Sequence, residues 1–526
     1  MINPRPRPCE STIIGAVPAG PDCAKATQRW VLAATVLGST MAYVDESVVN
    51  VALPTIERDL GTSLAAMQWV VNAYTLSLSA LLLIGGAAGD RFGRRRVFVI
   101  GTVIFAAASL GCGLAPGIVP LILGRAAAGA GAALLIPCSL AIIGAAFAES
   151  ERGKAIGIWS GASAIAAGLG PLLGGWLIDH ESWRVIFLIN PVIAIPTLWI
   201  ALRCLPESRD PDARSALDWP GAALAFAGLG CLAYGLIAAS DLGWRDREVV
   251  LALAAGALLL AAFVRHERHS AAPMMPLDLF RSRRFSGLNL LTLLLYGALG
   301  GAFFFLPFLL IQVYGYSATQ AGAAFLPFTL VLGALSRWSG GLLDRFGARW
   351  PLIVGPAISA LGLALLASPG ADGSYWTSFF APMVVLGFGM AITVAPLTTA
   401  VINAVPAQRT ATASGINNAV ASVASLLVIA LLGSIATAEL DRAMDRHLAA
   451  LPASPEIARA VDGVRGGFVV PPLPETLPPE ASETVHAVIA SSFVEALRRM
   501  MLIAAALAFA SALATALTID PDDPRV

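Results

Sequence analysis

Residues 85–96 read GGAAGDRFGRRR, and residues 340–349 read GGLLDRFGAR. One short phrase is written twice, each time between two apolar runs of helix length. Gly86, Gly93 and Gly347 allow a tight turn and a close helix approach at these places. Asp90 and Asp344 supply acceptors; Arg91, Arg94 and Arg345 supply donors. A polar clamp repeated once per half predicts a duplicated membrane protein whose halves move against each other.

The composition agrees. The chain has 526 residues, 57% apolar and 13% charged, with a mean hydropathy of +0.75. Soluble domains carry a charged fraction of about 25%, so an all-α polytopic membrane protein is expected. A formal net charge of zero argues against a nucleic-acid partner. The six cysteines form no CxxC pair and no metal spacing, and the five histidines are scattered. No GxxxxGK[ST] is present, which argues against an ATP-driven pump, and no catalytic set stands out. A transporter that is not an enzyme and needs no cofactor is the expectation. The Pro-rich, basic start (Arg5, Arg7, Lys25, Arg29) lacks a clean cleavage site, so the first apolar run reads as an uncleaved helix.

A span needs about 20 mostly apolar residues, and the sequence divides into about fourteen of them. Residues 1–29 form a tail, 30–203 a first six-helix bundle, and 204–286 two extra spans near 218–239 and 249–265 with their linkers. Residues 287–518 form a second six-helix bundle, and 519–526 a closing tail. Within the second bundle, the polar, Pro-rich stretch 437–497 reads as an external loop with short helices near 437–449 and 483–497. With the N-terminus inside, Arg91, Arg94, Arg95, Arg96, Arg152, Lys154, Arg203, Arg265, Arg268, Arg345, Arg349 and Arg409 all fall in cytoplasmic loops. Both termini are then cytoplasmic and both DRFG loops share one face. The stretch 266–286 reads as amphipathic and close to lipid headgroups.

Inside the spans, polar residues are few. The first span, STMAYVDESVVNVALPTI, holds Asp45, Glu46 and Asn50. An acid at bilayer depth costs about 3 kcal/mol, and burial favours its neutral form, which suits a group that takes up and releases protons. Adjacent residues point about 100° apart on a helix, so Asp45 and Glu46 do not face one pocket equally. Asn50 suits a substrate contact or a bond between helices. In the fourth span, Arg125 wants an acidic partner, and Asp45 or Glu46 is the candidate. The fifth span carries Gly161, Gly168, Gly170, Gly174 and Gly175 around Pro171, a small-residue stripe for close packing or a hinge.

These residues together resemble the major facilitator superfamily, and within it the fourteen-span drug:proton antiporters. VDESVVNVALPTI is similar to that family's first-helix motif, GGAAGDRFGRRR to its gating loop, LGRAAAGAGAALLIP to its fourth-helix motif and GASAIAAGLGPLLGG to its fifth-helix antiporter motif. WRVIFLINPV also has the familiar form. The resemblance implies the major facilitator fold in a bacterial cytoplasmic membrane. It also implies alternating access and proton-driven export of amphiphilic or cationic organic compounds. Some relatives work with a periplasmic adaptor, a role open to the external loop. Two residues depart from the pattern: Glu46 stands where Thr or Ser is usual, and Arg337 where a small residue or Pro is usual.

Overall fold

The computed structural model describes residues 21–209, 217–339, 341–368, 374–406, 409–452, 454–462 and 478–519. The regular elements among them are all helical. The first group is α1 (Pro21–Leu60), α2 (Leu64–Phe92), α3 (Arg94–Gly113), α4 (Ile118–Ala146), α5 (Glu149–His180) and α6 (Val185–Cys204). An antiparallel pair follows, α7 (Trp219–Leu242) and α8 (Arg247–His269). The second group comprises α9 (Arg283–Gln312), α10 (Ala318–Ala323), α11 (Leu326–Ser339), α12 (Leu342–Phe346), α13 (Arg349–Leu365), α14 (Ala381–Asn403), α15 (Thr410–Ala449), α16 (Pro455–Asp462) and α17 (Pro479–Thr518).

Among the described residues, 12 helical stretches are long and apolar enough to cross a membrane, two fewer than the count expected from sequence. The difference lies in α1 and α13. Asp45, Glu46 and Asn50 interrupt the apolar run of α1, and α13 has 17 residues. The chain is thus a multi-pass, all-helical membrane protein.

Small residues set the packing. Gly129 of α4 lies against the Tyr74 carbonyl of α2, and Gly85 of α2 lies against the Ala133 carbonyl of α4. Any Cβ at either position would collide with backbone. The close approach falls on Gly85; Gly86 has ordinary room beside Pro137. The α7–α8 pair packs along the seam where α2 meets α15, through Leu76, Leu229, Ala233 and Leu426.

Several expected boundaries move. The first DRFG loop shrinks to a single residue, because α2 runs through Phe92 and α3 begins at Arg94. Gly93 between them has φ of +110°, and Gly347 of the second copy has φ of +69°, so both copies turn on a glycine in the left-handed region. The span expected at 319–340 breaks into α10 and α11 at Ala324–Phe325. The short helices expected in the external loop are continuous with the spans: α15 and α17 are 40 residues each. The Ala449 end of α15 is tied to the middle of α17 by Arg446 to Glu495 (2.8 Å) and by Arg499 to Glu439 (2.6 Å), and α16 packs on α17 with Val461 buried. Residues 1–20 of the N-terminal tail, 463–477 of the expected loop and 520–526 of the C-terminal tail lie outside the described residues.

Candidate functional site

Polar side chains converge where α1, α2, α4 and α6 meet. Asp45 is fully buried and Arg125 is 2% exposed. The Arg125 guanidinium donates through Nη1 to Asp45 Oδ2 and through Nε to the Val70 carbonyl, 3.1 Å away. Its carbon lies 4.3 Å from the Tyr74 ring centroid and 5.8 Å from that of Phe187. The second Asp45 oxygen accepts from Asn190 Nδ2 at 2.8 Å, and Asn190 also donates to Ser109 at 3.2 Å. Both carboxylate oxygens are therefore satisfied, and the cation is held by charge, backbone and aromatic faces together. Removing one partner of such a pair leaves the other buried and uncompensated, at a cost of about 3–5 kcal/mol.

Glu46 behaves differently, as its rotation about the helix requires. Its side chain is exposed, although Arg125, Tyr43 and Tyr74 lie within electrostatic reach, and Tyr43 in turn reaches Tyr296. Tyr296 belongs to α9 of the second group, on which α1 also packs, so this part of α1 looks toward the second half, with the Glu46 side chain left uncovered. Asn50, one turn on, is half-buried. The arrangement gives one acid locked against an arginine and a neighbouring acid open to water.

The fifth helix shows which end of the space between the halves is closed. Gly157, Gly161, Gly168, Pro171 and Gly175 follow one face of α5. From Gly168 onward this face presses on the second half: Gly168 meets Thr329, Pro171 meets Gly322, and Gly175 meets the Ala318 backbone. Gly157, Gly161 and Ala164, on the same face nearer the DRFG end, are exposed. Gly170 and Gly174 turn the other way, onto Ser47 and Val48 of α1. The stripe read from sequence thus serves two interfaces. The space between the halves is sealed at the end away from the DRFG phrases and open toward them.

The seal is completed by Asp179 at the end of α5. Its oxygens accept from the backbone N–H groups of Ala318 (3.0 Å) and Thr319 (2.8 Å), the first residues of α10. A carboxylate is favoured there by the unsatisfied amides of a helix start. Gln68, at the start of α2, crosses the halves likewise and donates to the Ile429 carbonyl at 2.5 Å.

At the open end, the DRFG residues bind within their own half. Asp90 is held by Arg94 at 2.8 Å. Glu207, beyond α6, accepts from the Arg95 N–H at 3.2 Å and fills the room that a side chain at Gly93 would need. Arg91 is exposed and stacks on Phe92, and Arg345 is exposed. The side chains of Asp344 and Arg337 lie outside the described residues.

Sequence reasoning does not single out Asn190, Ser109, Asp179 or Gln68. A weak signal exists for two of them. Asn190 is a lone amide before Pro191 in an apolar span, and Asp179 closes the fifth span just before a polar turn.

A family model described as Major Facilitator Superfamily matches residues 35–429. The chain belongs to that superfamily. Among relatives, the tetracenomycin C resistance and export protein of Streptomyces glaucescens is 32% identical over 498 residues, 94% of this chain and 92% of that protein. The multidrug resistance protein Stp of Mycobacterium tuberculosis is 36% identical over 80% of this chain and 78% of its own length. The puromycin resistance protein pur8 of Streptomyces alboniger is 36% identical over 87% and 91%. A solved bacterial homologue of the human lysosomal transporter Spinster shares the fold, with a TM-score of 0.66 and 18% identity over 93% of this chain and 96% of that one. As a major facilitator protein, the chain is a membrane transporter acting on small molecules. The adaptor protein expected from sequence finds no support among these relatives.

Proposed function

We propose that the protein is a proton-coupled antiporter that exports amphiphilic or cationic organic compounds by alternating access. One observation carries this reading: a fully buried Asp45–Arg125 pair beside an exposed Glu46, on a helix that lines the space between the halves. Asp45 is the proton-coupling acid. Helix movement between the two states changes its contacts with Arg125 and Asn190, which is how the proton is coupled to the turnover. Glu46 and Asn50 offer an acceptor surface to a cationic substrate among Tyr43, Tyr74 and Tyr296. The driving force is the proton gradient, and no bound cofactor takes part.

The arginine bias of the loops supports a cytoplasmic DRFG face and cytoplasmic termini in a bacterial inner membrane. On this reading α1 and α13 are further spans, the membrane is crossed fourteen times, and the open end of the central space faces the cytoplasm. The relatives named for resistance to multiple drugs and to puromycin support a drug exporter. A second reading, export of one endogenous metabolite, is favoured by the relative whose name joins resistance with export of a single compound. A susceptibility panel in an efflux-deficient host, repeated with a protonophore, is the test. Resistance that the protonophore abolishes is expected; resistance that survives it would overturn proton coupling. No resistance to any panel compound, with expression confirmed, would overturn the drug-exporter reading and leave the metabolite.

A further inference from the structure

A second acidic site lies outside the Asp45 region, at the DRFG-facing end of the α7–α8 pair. Asp218 caps α7, and its Oδ1 accepts from the Gly221 N–H at 2.9 Å. The same oxygen lies 2.7 Å from His266 Nε2, which must be the donor because a carboxylate only accepts. Glu267 of α8 is 3% exposed, and its Oε2 accepts from the Met275 N–H at 3.0 Å in the linker toward α9. The other two oxygens, Asp218 Oδ2 and Glu267 Oε1, are buried and have no donor among the described residues. A Cβ at Gly221 would sit 2.8 Å from one and 2.9 Å from the other, so the two oxygens line one narrow space. Two buried carboxylates sharing such a space do not both stay ionised; one proton between them supplies the missing donor.

We propose that Glu267 carries that proton and donates it to Asp218 Oδ2, making a proton-binding site on the added helix pair that is separate from Asp45. The donors decide the assignment. Burial alone would raise the Asp218 pKa, but the Gly221 N–H and His266 outweigh it and hold Asp218 below the usual carboxylate range. Around the site, α8 also presents Arg265, Arg268 and His269, which line a separate groove with Leu260, Ala261 and Val264. From α2 and α15, which pack on α7, the charges at this face are Asp90, Arg91 and Arg409. Asp90 is taken by Arg94, Arg91 stacks on Phe92, and Arg409 pairs with Asp278. Residues 210–216 of the incoming linker lie outside the described residues. Because Glu267 also holds the Met275 N–H, proton occupancy sets how firmly the linker into the second half is anchored.

The folded site keeps a proton at a pH where the unfolded chain has lost it, so stability falls as pH rises through its titration. In the purified full-length protein, the melting temperature should decline over that range, and Glu267→Gln, whose amide donates at every pH, should flatten the decline. Infrared spectra should show a protonated-carboxyl band lost on alkalinisation in the parent and missing from Glu267→Gln. Asp218→Asn keeps the helix cap but offers a donor to Glu267, so it too should lack the band even if Glu267→Gln folds poorly. The same decline and the same band in the parent and both variants would overturn the proposal. None of these readouts needs transport, so a failure here is distinct from a failure of the export reading.

Discussion

At the residue scale, Asp45 and Glu46 divide between them the work of two adjacent acids. Asp45→Asn keeps the shape and the Asn190 contact but removes the charge that faces Arg125. Export should be abolished with expression intact, measured as drug accumulation in cells, whereas Glu46→Gln should retain part of it. Arg125→Ala strands a buried carboxylate, and purified protein should lose about 3–5 kcal/mol of stability in thermal or denaturant unfolding. Arg125→Lys restores charge but not the simultaneous reach to Asp45 and the Val70 carbonyl, so it should recover stability only in part. A pairing of Arg125 with an acid of α1 is legible in the sequence because a lone cation and two acids in apolar spans have few other partners; that the acid is Asp45 and not Glu46 is seen only in the structure. Asn190 is not, because its contact depends on how α6 crosses α1, and no local pattern records a crossing.

At the element scale, α5 carries the contact that seals one end. Asp179→Ala removes two charge-assisted bonds from the start of α10, each worth about 1.5–3 kcal/mol. The population should shift toward opening at that end, read as increased labelling of cysteines placed along Pro171–Gly175 by a membrane-impermeant reagent. Unchanged labelling would mean that glycine packing alone keeps the seal. Asp90→Ala should act in the opposite sense to Asp179→Ala, since Asp90 sits at the opposite end of the space between the halves, the end whose closure the DRFG phrase would hold. The stripe of small residues in α5 is plain in the sequence. Its division between two interfaces is not, since a repeat of glycines fixes closeness but not the neighbour. Helix ends resist sequence reading for a related reason. The stretch TAELDRAMDRHLAA looks like an external loop by polarity, yet its Ala, Glu, Leu and Arg are good helix formers, so α15 continues past the apolar run.

At the scale of the whole molecule, two helical groups share a space closed at one end only. Joining Gly168→Cys to Thr329→Cys by a disulfide, in a background without native cysteines, should hold that end shut and stop transport, and a reductant should restore it. Transport that continues with the cross-link in place would count against alternating access between these halves. The duplicated phrase makes this two-part plan legible in the amino-acid sequence. The long helices α15 and α17 add something that the phrase does not encode. Each has 40 residues, about 60 Å of helix against a hydrocarbon core of about 30 Å. With one end level with the hydrocarbon edge, the far end of such a helix stands roughly three times as far from the bilayer midplane as the opposite edge does. The pair works as a pointer on a dial: a rotation of the second half too small to follow among its packed side chains sweeps the tip through the surrounding medium. Dyes fixed there and on the first half would let single molecules be watched turning over, and a bulky binder clamped to the tip would act as a brake.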